Sequence, residues 1–225
     1  ISFLLGKRAN IYIQVPYLKA ITIKDPIHGI ISIFYIVACI LFAHKILKNS
    51  SSTINLSFLR KTIILLPINC LSEYQNFKID IDRDDKYQIN FVCRLFPERG
   101  VGSRDFKNML RLADEIALYN KSNQKKILLN HWGDAENNLI YELKKHSCNY
   151  FYNHGFEDEW YLKAKGRMIF ISNYEGFGLA PLEAASYGFK TFVNEAFPIE
   201  LLNCNNSIKR LITKKNKISI LNQII

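Results

Sequence analysis

From residue 87 onward, short apolar runs of strand length alternate with longer stretches that carry apolar residues at helical spacing, and this alternation limits what the chain can fold into. Strands are expected at 88–93, 126–130, 148–152, 167–172 and 190–194. Ser103 is placed to cap a helix running to about residue 119, with Phe106, Met109, Leu110, Ala113, Ile116 and Ala117 on one face. Further helices are expected at 135–146, 157–165 and 179–187, the last stopped by Gly188. A helix between each strand and the next returns the chain to the same end of the sheet, so the strands pair in parallel. The fold class that follows is α/β: a Rossmann-like, doubly wound parallel sheet, with its ligand site at the carboxyl ends of the strands.

The first 86 residues read differently. Asp80, Asp82, Asp84 and Asp85, interspersed with Arg83 and Lys86, resemble an exposed linker, which sets a boundary near residue 86. The expected division is an incomplete N-terminal segment over 1–86, a Rossmann-like domain over 87–203 and a basic tail over 204–225. Some 86 residues are few for a whole domain of usual size, and the chain begins at Ile1, so a fragment of a longer polypeptide is expected. Residues 26–44 carry no formal charge. As a helix these 19 residues would reach about 28 Å, at the short limit for a bilayer core; an apolar helix is expected over 27–44, and burial or shallow membrane contact both stay open. A polar connection at 49–55 leads to a strand-like segment at 62–68.

With 48% hydrophobic and 13% aromatic residues, a chain of 225 residues can bury a sizeable core, which excludes a mainly disordered protein. The net charge of +10 sits at the ends: residues 1–60 hold 7 Lys and Arg against 1 acid, 61–200 hold 18 against 19, and 201–225 hold 5 against none. No basic stripe with interleaved aromatics runs through the centre, so no nucleic-acid partner is expected. Basic ends suit peripheral contact with an anionic membrane surface. Cys39, Cys70, Cys93, Cys148 and Cys204 show no Cys-x-x-Cys spacing and fit buried free thiols in a reducing compartment. His131, His146, Cys148 and His154 cluster in sequence but match no zinc spacing, so packing and loop roles are expected of them.

Two loops at strand ends carry candidate chemistry. After the first strand of the unit, Arg94 and Arg99 lie five residues apart in a turn bounded by Pro97 and Gly100, so both can reach one diphosphate with fork-shaped donors, although by themselves they also fit a solvated surface pair. After the fourth strand, Gly176 and Gly178 permit a tight turn and close backbone approach, and the helix that follows points the positive end of its dipole at an anion. Glu175 precedes that helix and Glu183 lies just over one turn inside it, which lets both carboxylates face one cleft. The residues by themselves also fit a plain strand-to-helix turn with acids supporting a helix N-terminus.

Glu175 and Glu183, separated by seven residues within EGFGLAPLEAASYG, resemble the E-x7-E signature of retaining GT-B glycosyltransferases (glycosyl transferases group 1). RLFPERG, from Arg94 to Gly100, resembles that family's diphosphate clamp, and Asn194 to Glu200 resembles the segment after its next strand. The likeness covers residues 88–203 well and residues 11–69 faintly. Arg99 stands where the family usually has lysine, Cys93 replaces a common glycine, and His131-Trp132-Gly133-Asp134 stands in place of a glycine-rich turn.

The resemblance implies a donor-binding domain plus part of the acceptor domain. Glu175 would hold hydroxyls of the donor sugar and Glu183 the ribose. Arg94 and Arg99 would neutralise the leaving diphosphate, with the backbone from Gly176 through Phe177 and Gly178 to Leu179 completing the donor site. The implied catalytic groups are Glu175, Arg94 and Arg99. The implied partners are a nucleotide sugar as substrate and a glycan or lipid-linked acceptor, with no metal and no cofactor. The expected location is the cytoplasm, including the inner face of the membrane. A nucleotide-sugar-binding remnant without catalysis, and a nucleotide-sugar epimerase of the same fold, are the competing readings.

Overall fold

Apolar residues at successive positions of the central strands dictate a sheet that must be covered on both faces. The computed structural model describes residues 9–13, 34, 43–48, 62–64, 84–95, 105–173, 175, 178–215 and 218–225. Strands β1 (Ala9–Ile13), β2 (Ala43–Lys48) and β3 (Thr62–Ile64) pair in parallel, in that order, as a three-stranded sheet. The second unit runs β4 (Gln88–Val92), α1 (Phe106–Ser122), β5 (Leu128–Trp132), α2 (Asn137–His146), β6 (Phe151–Asn153) and α3 (Trp160–Lys163). It continues with β7 (Arg167–Phe170), α4 (Leu179–Ser186), β8 (Thr191–Val193), α5 (Ile199–Cys204), β9 (Ile208–Arg210) and α6 (Ile220–Ile224). Its six strands are all parallel, in the order β6-β5-β4-β7-β8-β9, which is the expected α/β Rossmann-like architecture.

Side-chain alternation separates two cores. Ile89, Phe91, Leu129 and Ile169 pack with Met109, Leu112, Ile116 and Leu143 of α1 and α2 and with Ile220, Leu221 and Ile224 of α6. Trp132, Met168, Phe170 and Val193 instead pack with Trp160, Leu182, Phe189 and Leu201 across the other face. Each buried aliphatic side chain contributes roughly 1.5–3 kcal/mol relative to exposure, so the two layers together hold the sheet.

Several boundaries differ from expectation. Asp105, not Ser103, caps α1, its carboxylate accepting from the Asn108 amide at 3.2 Å, and the buried face of that helix includes Leu112. β5 extends two residues further than expected, so His131 and Trp132 lie in the strand and only Gly133 and Asp134 begin the loop. β6 starts at Phe151 because Cys148 and Asn149 adopt left-handed backbone, φ 52° and 68°. The 203/204 boundary runs through α5, and the basic end of the chain supplies β9 and α6 with a buried Leu211 between them, so 204–225 is part of the sheet and its cover and not a tail. Within the expected 27–44 helix, Phe34 is helical and exposed whereas Ala43 and His44 open β2; the others lie outside the described residues, as do 49–55 and 65–68. Asp84, read as linker, forms ion pairs with Arg167 and Lys190 and so ties β7 to the residue before β8. Cys148 is exposed and Cys93 and Cys204 are half-buried, in place of the expected buried thiols; Cys39 and Cys70 are outside the described residues. Among the described residues, no helix is long and apolar enough to cross a membrane.

Candidate functional site

The chain builds the sheet outward in two directions from β4: to β5 and β6 on one side, to β7, β8 and β9 on the other. The reversal leaves a crevice between the carboxyl ends of β4 and β7, where helices depart to opposite faces. Asn90 lies opposite Met168, so the two strands end nearly level, at Val92 and Phe170. The two loops singled out by sequence therefore leave adjacent strands at the same end.

Arg94 follows β4 on a pinned backbone. The Cys93 amide donates to the Trp132 carbonyl at 3.1 Å, the Leu95 amide donates to Asp134 at 2.8 Å, and the Leu95 carbonyl accepts from Glu136 at 2.9 Å. Leu95 is buried, whereas the side chain of Arg94 is exposed. His131 supports this stretch from below: its Nε2 donates to the Cys93 carbonyl at 2.8 Å and its Nδ1 pairs with the Asn153 carboxamide at 2.6 Å. Burial pulls the His131 pKa down against the opposing hydrogen bonds to Asn153 and Cys93, which favours the neutral ring. Gly133 lets the β5 end pass beneath: at φ +138° its position for a Cβ is 2.2 Å from the Cys93 oxygen. The other two histidines of the cluster, His146 and His154, also have structural partners. His146 pairs with Asp114 at 2.8 Å, and His154 stacks on Trp132 and bonds Asn130.

α4 begins at Gly178, whose left-handed backbone (φ 100°) caps the helix without a side-chain hydrogen bond. A Cβ there would stand 2.7 Å from the Phe197 ring, so the residue must be glycine both for its conformation and for space. Leu179 at the first turn is exposed and Pro181 is buried two residues on. Among the described residues no side chain caps α4, which leaves its first amides available to an anion. Glu175 is half-buried in the loop before the helix. Glu183 is half-buried on α4, and among the described residues its carboxylate has no hydrogen bond or ion pair. Arg99, Gly176 and Phe177 lie outside the described residues. Beside Arg94, at the ends of β4 and β5, opens a cavity of about 190 Å³ lined by Cys93, Trp132, Gly133, Phe156, Asp158 and Trp160 among others.

Burial raises the Glu183 pKa above its ordinary 4.5, so the folded protein holds this proton more tightly than the unfolded chain does. Stability is then fullest below the unfolded value and declines as pH rises from there through the folded pKa. Glu183→Gln is expected to match the parent at about pH 4 and to equal or exceed it at about pH 7.5 in urea unfolding. A variant less stable than the parent only at the higher pH would contradict this reading of the site.

The sequence marks Asn194 as the end of a strand and the start of a family-like segment, but shows neither its bonding role nor that of Arg210. Asn194 donates to the Ser172 carbonyl at 2.8 Å and accepts from the Ser172 amide at 3.2 Å. A polar residue closing an apolar strand run was the available signal.

No family model and no curated protein matches the sequence. Solved structures do. TarM is similar at 13% identity and TM-score 0.67, over 97% of this chain and 43% of that one. Anabaena Alr3699/HepE, in complex with UDP and glucose, is similar at 15% identity and TM-score 0.63, over 99% and 62%. The pneumococcal O-GlcNAc transferase GtfA, in complex with UDP and GlcNAc, is similar at 14% identity and TM-score 0.57, over 97% and 43%. The chain thus spans between 43% and 62% of the length of these proteins. At such identities the likeness defines architecture, and the chain has the Rossmann-like fold of the GT-B glycosyltransferase structures.

Proposed function

We propose that this chain is the donor-binding part of a glycosyltransferase that moves a sugar from a nucleoside diphosphate to a glycan or lipid-linked acceptor. The observation that carries the reading is the pairing at the β4/β7 crevice of an exposed Arg94 on a pinned backbone with α4, which starts at Gly178 with no side-chain cap and bears a half-buried Glu183 whose carboxylate has no hydrogen bond or ion pair among the described residues. A cation and a helix N-terminus suit a diphosphate, and a desolvated carboxylate suits the hydroxyls of a ribose. The UDP and sugar held by HepE and GtfA, proteins of the same fold, support a nucleotide sugar as the ligand. The cavity beside Arg94, with Trp132 and Trp160 in its wall, offers a place for a planar base.

In the proposed reaction the bond from the sugar anomeric carbon to the diphosphate oxygen breaks as the acceptor hydroxyl oxygen bonds to that carbon and gives its proton to an oxygen of the departing diphosphate. Negative charge collects on the departing nucleoside diphosphate, where Arg94, Arg99 and the α4 amides stabilise it without a metal. Glu175 holds the sugar hydroxyls, and retention of the anomeric configuration follows from the resemblance of the Glu175–Glu183 spacing to the retaining signature. Peripheral contact of the basic ends of the chain with the inner face of a membrane belongs to the same proposal.

A thermal-shift screen against UDP-, GDP- and ADP-sugars tests the ligand class. A ligand present at about 100 times its Kd adds about 2.7 kcal/mol, which raises the unfolding midpoint by several degrees. No shift with any of the three bases would defeat the reading. Incubation with donor alone separates an epimerase, which converts the sugar without an acceptor, from a transferase.

A further inference from the structure

The loop that carries Glu175 leaves β7 at Ser172, and what fixes it there comes from the far side of the sheet. Asn194, buried at the end of β8, makes a reciprocal pair with the Ser172 peptide, adding one rung to the sheet where the strands have ended. Its own carbonyl accepts from the Phe197 amide at 3.2 Å and from Arg210 Nη1 at 2.8 Å, and the same Nη1 reaches the Phe197 carbonyl at 2.7 Å. Glu195, in the same turn, accepts from the Thr213 amide at 2.9 Å and the Thr213 hydroxyl at 2.7 Å. The turn so held presses the Phe197 ring against Gly178, the cap of α4. One guanidinium at the end of β9 therefore governs two contacts on the donor loop, at Ser172 and at Gly178.

We infer that Arg210 and Asn194 are positioning residues: with the turn at 194–197 they form a brace that sets the loop carrying Glu175 and the start of α4. The inference deepens the transferase reading and rests on it only where activity is measured. Neither residue touches the donor in this account; each acts through Ser172 and Phe197. Because the brace holds the Glu175 loop and the first turn of α4 but touches neither Arg94, which is pinned from β5, nor Glu183, its loss should impair turnover, which needs these groups in place around the departing diphosphate, more than it impairs binding of the nucleoside diphosphate by Arg94 and Glu183.

The test compares the parent chain with Arg210→Gln and Arg210→Lys. In the absence of ligand, Arg210→Gln is expected to speed hydrogen exchange at the Ser172, Leu182 and Phe197 amides by about tenfold or more while the β5 amides keep the parent rates. With a nucleotide sugar that shifts the parent, its turnover is expected to fall about tenfold while affinity for the nucleoside diphosphate changes by less than about threefold. Arg210→Lys, which keeps one cationic donor, recovers most of both. Parent-like exchange at the three amides, or an equal rise across the whole sheet, overturns the brace. A parent that binds no nucleoside diphosphate removes the transferase reading, and exchange alone then decides the brace. Should Arg210→Gln not fold, Asn194→Ser, which leaves the Arg210 contacts to two carbonyls in place, carries the same comparison.

Discussion

Arg94→Ala is expected to lower nucleoside diphosphate release from a nucleotide sugar by about a hundredfold to a thousandfold, the loss typical when one preorganised stabiliser of developing charge is removed. The fold should be unaffected, because the Arg94 side chain is exposed and the structure around it is held by backbone bonds of Cys93 and Leu95. Surface substitutions of this kind usually change stability by less than about 0.5 kcal/mol. Arg94→Lys should recover only part of the rate, since a point charge cannot reproduce two parallel donors on a phosphate. Full activity in Arg94→Ala, measured by released nucleoside diphosphate, would remove the residue from the site.

Gly133→Ala is expected to be the most destabilising single substitution near the site. A methyl group at this position would meet the Cys93 oxygen at 2.2 Å, and the atom is backbone, so no side-chain rotation relieves the clash. Backbone strain of about 1–3 kcal/mol adds to an overpacking cost of about 1–3 kcal/mol, giving a loss of several kcal/mol in urea unfolding. If the chain still folds, relief must come by separating the ends of β4 and β5. That displaces Cys93 and Arg94 together, and nucleotide affinity falls with stability. A variant with parent stability would show that the passage of the β5 end beneath Cys93 is wrong.

The sheet was legible because its apolar strands and the helices between them have distinct spacings. β7, α4 and the Gly188 stop appear at nearly the residues expected, since an apolar run, an early proline and a terminal glycine each mark one boundary. Elsewhere the signals were local and the outcome was tertiary. β9 is only Ile-Lys-Arg, and its two cations read as a tail until pairing with β8 and the contacts of Arg210 with Asn194 and Phe197 give them a reason. His131 and Trp132 look like loop residues, yet His131 is fully buried within β5 because Cys93 and Asn153 satisfy its ring nitrogens. Asp84 resembles an exposed linker acid by composition, and only the folded sheet brings Arg167 and Lys190 to it. As for the candidate site, its residue types and their order in the chain could be read, whereas the support beneath them could not. Asn194, Arg210 and Gly133 act across sequence distances that spacing does not encode.

Calorimetric titration of UDP, GDP and ADP into the parent chain, Arg94→Ala and Glu183→Ala tests the central claim most directly. The account predicts saturable binding of at least one nucleoside diphosphate by the parent. Each variant should bind it about 10-fold to 100-fold more weakly, as the loss of a charge-assisted contact worth about 1.5–3 kcal/mol requires. Binding that is equal in all three proteins, or absent from a cooperatively folded parent, would contradict it.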